Sequence, residues 1–71
     1  LNSTFIQYNH KKIPVTLIGT DHKLIPTLLK ALTHNKLTVG KIKESLEKID
    51  LFSAEAIVYS TQGDKFRIPI F

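Results

Sequence analysis

The sequence predicts a small α+β domain: a β-hairpin and a short strand, then two helices, then a closing β-hairpin. Three observations predict it. β-rich runs flank a polar tetrapeptide near the start, apolar residues recur at three- and four-residue steps in the middle, and strict alternation returns at the end. With 71 residues, residues 1–71 form one domain without linkers, repeats or low-complexity segments.

The first hairpin pairs Thr4-Phe5-Ile6-Gln7-Tyr8 with Ile13-Pro14-Val15-Thr16-Leu17-Ile18 across Asn9-His10-Lys11-Lys12. Pro14 cannot donate to a ladder and suits an edge or the first residues of a strand. Gly19-Thr20-Asp21-His22 is a turn, after which Lys23-Leu24-Ile25 returns as a short third strand.

Pro26 sets the start of the first helix, because a proline costs nothing at the first helical position and breaks a helix further in. The helix runs from Pro26 to about Thr33, with Leu28, Leu29 and Leu32 inward, and stops in Thr33-His34-Asn35-Lys36. A second helix is read from Val39, Ile42, Leu46 and Ile49, N-capped by Thr38, with Lys41, Lys43, Glu44, Glu47 and Lys48 around it. Glu44 and Lys48 have the i,i+4 spacing of a helical ion pair. Asp50-Leu51-Phe52-Ser53 leaves that helix.

The closing hairpin joins Ala56-Ile57-Val58-Tyr59-Ser60 to Lys65-Phe66-Arg67-Ile68-Pro69-Ile70-Phe71 through Thr61-Gln62-Gly63-Asp64. A period of two puts Phe66, Ile68 and Ile70 on one face and Lys65, Arg67 and Pro69 on the other.

Composition narrows the function classes. A chain this short buries only about 60% of the surface its unfolded form exposes. Having no cysteine, it has neither disulfides nor thiolate metal sites to support its core, so association with a second chain is expected. Opening on Leu1 rather than methionine is what a trimmed or excised segment would show. No apolar run approaches the roughly 18 residues of a membrane span, so no membrane partner is expected. The net charge is +4, and nine of the ten cations are lysines spread among acids. Such a pattern reads as a solvated face rather than as a base-reading surface, which favours arginine.

Catalysis finds no constellation. His10, His22 and His34 each fall in a turn, no two share a helical face, and no acid has the apolar surroundings that would tune it. Gly19, Gly40 and Gly63 lie too far apart to cradle a phosphate. The reading is therefore non-enzymatic, with no catalytic, cofactor or metal residues.

Two binding readings remain. The two helices can be taken as a helix-turn-helix with the last hairpin as its wing, offering Lys41, Lys43, Lys48, Lys65 and Arg67 to phosphates. Against it, the second helix has no Asn, Gln or Arg to read a base edge, and Glu44 and Glu47 lie among its lysines. The protein-binding reading takes Leu51, Phe52 and Phe71 as apolar anchors and Lys41, Lys43 and Lys48 as a charged rim. Edges of the hairpins also offer strand pairing, and self-association is expected.

The stretch Phe5-Ile6-Gln7-Tyr8-Asn9-His10-Lys11-Lys12-Ile13-Pro14-Val15 resembles the opening of the phage antirepressor N-terminal domain, the Ant type, akin to BRO-N. Leu24-Ile25-Pro26-Thr27-Leu28-Leu29-Lys30-Ala31-Leu32 is similar to the family's proline-entered helix, and Val39-Gly40-Lys41-Ile42-Lys43 resembles its basic amphipathic helix. Gln62-Gly63-Asp64-Lys65-Phe66-Arg67-Ile68-Pro69-Ile70 resembles its closing hairpin. Leu32-Thr33 departs from the Leu-Gly usual there. The resemblance implies a phage or prophage regulator in the bacterial cytoplasm that binds a transcriptional repressor and stops it holding its operator. Relatives in the BRO and KilA groups bind DNA, which keeps nucleic acid as the alternative partner.

Overall fold

The computed structural model of the chain describes residues 2–70. It is an α+β fold of two layers: one five-stranded mixed sheet, and a helical crossover packed on one of its faces. Strands β1 (Asn2–Tyr8) and β2 (Lys11–Leu17) form the first hairpin. The crossover then carries a 3-10 turn (His22–Leu24), helix α1 (Ile25–His34), the one-turn helix α2 (Lys36–Val39) and a second 3-10 segment (Gly40–Ser45). Strands β3 (Leu46–Leu51), β4 (Glu55–Ser60) and β5 (Lys65–Pro69) complete the sheet. Spatial order follows chain order, β1-β2-β3-β4-β5, with β2 and β3 parallel and every other pair antiparallel. A parallel step needs a long crossover, and the helical segments between Leu17 and Leu46 supply it.

The first hairpin turns on two residues, Asn9 and His10, both at positive φ (53° and 64°). That is the requirement of a tight turn whose twist matches the strands it joins. Pro14 lies opposite Phe5, where its missing N–H leaves the β1–β2 ladder intact.

Two expected elements take another form. Lys23-Leu24-Ile25 is not a strand: Asp21 accepts a hydrogen bond from the Lys23 backbone N–H at 2.9 Å, and the chain winds through a 3-10 turn directly into α1. Pro26 sits in the first turn of α1, as its chemistry demands. Leu28, Ala31 and Leu32 face the core, whereas Leu29 points to solvent. Asn35 closes the helix, its side-chain amide donating to the Ala31 carbonyl at 2.7 Å.

The second long helix is the larger correction. Helical geometry after Thr38 lasts only through short 3-10 turns kinked at Ile42, and Leu46 begins a strand. Thr38 lies inside α2 and caps nothing, and Glu44 and Lys48 are no longer helical neighbours. The cause lies in a β-bulge. Leu46 pairs with Ser60 and Lys48 with Tyr59, so Glu47 is an extra residue on β3. The bulge returns both Leu46 and Ile49 to the core although they are three residues apart, a spacing that otherwise marks a helix.

The core lies between the layers. Ile13, Val15, Leu17, Ile49, Leu51, Val58 and Ile68 come from the sheet, and Leu28, Leu32, Val39 and Ile42 from the crossover. Lys11 joins the two, its ammonium donating to the carbonyls of Glu44 (3.2 Å) and Leu46 (3.1 Å) where the crossover enters β3. At the far hairpin, the buried Ser60 hydroxyl accepts from the backbone N–H groups of Gln62 and Asp64 at 3.2 and 3.1 Å.

Candidate functional site

Because strand side chains alternate, the face of the sheet turned away from the helices is set by the residues between the core positions. Register places Phe5 opposite Pro14 and Gln7 opposite Lys12 on β1 and β2. Thr16, Asp50, Ile57 and Arg67 then run in one row across β2, β3, β4 and β5, and Lys48, Tyr59 and Lys65 in the next. No element of the described chain covers this surface. Phe5 is 57% exposed in the middle of a strand, an unusual place to leave an aromatic ring in water.

The polar groups of the face are tied to one another. The Lys12 ammonium lies 4.6 Å from the centre of the Phe5 ring, and the Lys48 ammonium 4.8 Å from that of Tyr59. Both distances are within cation–π range. The Tyr59 hydroxyl donates to Asp50 Oδ2 at 2.9 Å. That bond, with burial and the Asp50 charge behind it, raises the Tyr59 pKa above its ordinary value. Arg67 donates from Nε and Nη2 to Glu55 Oε1 at 3.0 and 2.8 Å. Arg67 is largely exposed, so this pair orients side chains more than it stabilises the fold. Lys12, Lys48, Lys65 and Arg67 outnumber Asp50 and Glu55, leaving the face weakly positive. No pocket opens among the described residues.

The residues expected to form an interface are scattered. Leu51 is fully buried in the core and cannot be a contact; its position inside β3, not in a loop, is the reason. Phe52 is half-buried in the turn after β3, its N–H donating to the Glu55 carbonyl at 2.8 Å. Phe71 lies outside the described residues. Lys41 and Lys43 are exposed on the 3-10 segment of the helical layer, and Lys48 is on the open sheet face, so the three do not form one rim. The helix-turn-helix needed to present Lys41, Lys43 and Lys48 together is not formed, because β3 occupies its second half. Lys65 and Arg67 do share a face with Lys48.

Phe5, Lys12, Ile57 and Tyr59 were not singled out by sequence reasoning. Their signal is the half of each strand's alternation that lies between the core positions, which becomes one surface only once the strand order is known. His10, His22 and His34 are exposed and lie in three separate segments. No group of three or more His, Asp or Glu side chains placed to hold a metal occurs among the described residues. No helix among them is long and apolar enough to cross a membrane. The chain matches no protein-family model, no curated protein and no solved structure.

Proposed function

We propose that this chain is a non-catalytic interaction module whose open sheet face docks a partner protein. One observation carries the reading: Phe5 stands exposed on a face that also holds Pro14, Ile57 and Tyr59, with Lys12, Lys48, Lys65 and Arg67 around them. Apolar and aromatic groups ringed by charge are the anatomy of a protein interface. The cation–π and ion-pair contacts hold the side chains in place before a partner arrives, lowering the ordering cost of binding.

The antirepressor resemblance supplies the partner class: a transcriptional repressor in the bacterial cytoplasm, prevented from holding its operator. The test adds a helix-turn-helix phage repressor, taken from the genes neighbouring this chain's where one is encoded there, to the isotope-labelled chain and follows amide shifts. Perturbations centred on Phe5, Ile57 and Tyr59 bear the proposal out. Perturbations confined to the helical layer, or none, reject it.

A second reading rests on the same face. Lys48, Lys65 and Arg67 of the nucleic-acid alternative lie there with Tyr59 and Phe5, the mixture of cations and aromatic rings that binds single strands by stacking. Retention of a twelve-nucleotide oligothymidine, weakening steeply as salt rises, would select it over the protein partner.

A further inference from the structure

We infer that β1 is a self-pairing edge, joining two copies of this chain antiparallel about a two-fold axis at Phe5, so that two sheets become one ten-stranded sheet. The inference goes beyond the proposed partner and does not rest on it, because it concerns the chain alone.

The two edges of the sheet differ. β5 ends the sheet with Lys65, Arg67 and Pro69, the charges and proline with which natural edges discourage pairing. β1, Asn2-Ser3-Thr4-Phe5-Ile6-Gln7-Tyr8, has seven residues, no charge and no proline, and carries the β-favouring Thr, Phe, Ile and Tyr. Among the described residues its only strand neighbour is β2. A +4 chain resists approach of its own copy, and β1 itself adds no charge to that resistance, although Lys12, 4.6 Å from the Phe5 ring, brings one cation from each copy toward the axis.

The hairpin fixes which backbone groups of β1 are free. A two-residue turn closes on a hydrogen-bonded pair, here Tyr8 with Lys11. Alternation along the ladder then makes Ile6–Ile13 and Thr4–Val15 hydrogen-bonded pairs, and Gln7–Lys12, Phe5–Pro14 and Ser3–Thr16 non-bonded ones. Pro14 fits this phase, since it has no N–H to give and lies opposite Phe5. The N–H and C=O groups of Ser3, Phe5 and Gln7 therefore point outward, away from β2.

Those three residues define the register. Antiparallel pairing with Phe5 opposite Phe5 of the second copy sets Ser3 opposite Gln7 and satisfies all three outward pairs of groups. It is self-complementary, as a two-fold interface must be. The two exposed Phe5 rings meet across the axis on the open face, each covering apolar surface that the single copy leaves in water. The face that carries Tyr59 and Lys48 then continues from one copy into the next. A single strand pair is a small interface, so a dissociation constant on the order of 10–100 μM is expected.

Two variants sharing Gln7→Glu test the register, and in both the new carboxylate lies beside Lys12 of its own hairpin. Ser3→Glu/Gln7→Glu sets like charges opposite each other across the axis, and Ser3→Lys/Gln7→Glu sets opposite charges there. Sedimentation equilibrium of the unmodified chain should show a dimer forming with concentration. At low salt the Lys/Glu variant should associate about tenfold more tightly than the Glu/Glu variant. Circular dichroism checks that both variants are folded, and slowed amide exchange of Ser3, Phe5 and Gln7 on association should report the new ladder. A chain that stays monomeric to about 1 mM, or two variants that associate equally, would overturn the inference.

Discussion

The Tyr59 hydroxyl donates to the Asp50 carboxylate at 2.9 Å across the β3–β4 pair, on the face of the sheet that no helix covers. The bond raises the pKa of Tyr59 above the ordinary 10.0, since ionising the phenol loses the donor and sets two negative charges side by side. A raised value means that the folded chain holds this proton more tightly than the unfolded chain. The stabilisation is complete below about pH 10 and is lost as pH rises through the raised value. Ultraviolet titration of tyrosinate should show Tyr59 ionising above the ordinary value, and Asp50→Asn should bring it down. An unchanged midpoint in that variant would remove Asp50 as the cause.

The first turn holds His10 at φ 64°, a conformation that glycine enters without the steric cost a side chain bears. His10→Gly should therefore stabilise the chain by roughly 0.5–1 kcal/mol, raising the melting temperature by several degrees. Gly63, at φ 90°, predicts the opposite sign: Gly63→Ala should lower the melting temperature. Thermal unfolding by circular dichroism measures both.

Ser60 is the one buried polar side chain among the described residues, and its hydroxyl oxygen serves two backbone N–H groups of the β4–β5 turn. Ser60→Ala leaves the Gln62 and Asp64 amides without that acceptor. The expected cost is about 1–2 kcal/mol, read as a fall in the urea midpoint. Faster amide exchange at Gln62 and Asp64 should accompany it.

Leu51 contributes to the core and not to the surface. Leu51→Ala should cost about 2–5 kcal/mol of stability, the range for emptying a fully buried leucine site. A variant as stable as the parent in urea would contradict that placement.

Both hairpins and the proline-started helix were legible from local chemistry: turn residues, alternation and the position of Pro26. The stretch from Thr38 to Ile49 was not, because the bulge at Glu47 gives a strand the inward spacing of a helix. Once Leu46–Leu51 is a strand, Lys48 and Asp50 turn to the open face and Leu51 to the core, which also moves the candidate site. The face itself depends on strand order. Only the pairing of β2 with β3 brings Phe5 and Lys12 onto one surface with Tyr59 and Lys65, and no local pattern records a parallel contact across a crossover of this length.

The open sheet face as the binding surface is tested most directly by operator release. A helix-turn-helix phage repressor, taken from the genes neighbouring this chain's where one is encoded there, is held on a labelled operator duplex, and fluorescence anisotropy follows its displacement as the chain is added. The unmodified chain and Lys41→Glu/Lys43→Glu, altered only on the helical layer, should release the duplex at similar concentrations. Phe5→Ser/Tyr59→Ser should need at least about tenfold more, as expected when two aromatic anchors are lost. Full activity of Phe5→Ser/Tyr59→Ser, with loss of activity in Lys41→Glu/Lys43→Glu, would place binding on the helical layer and contradict the account.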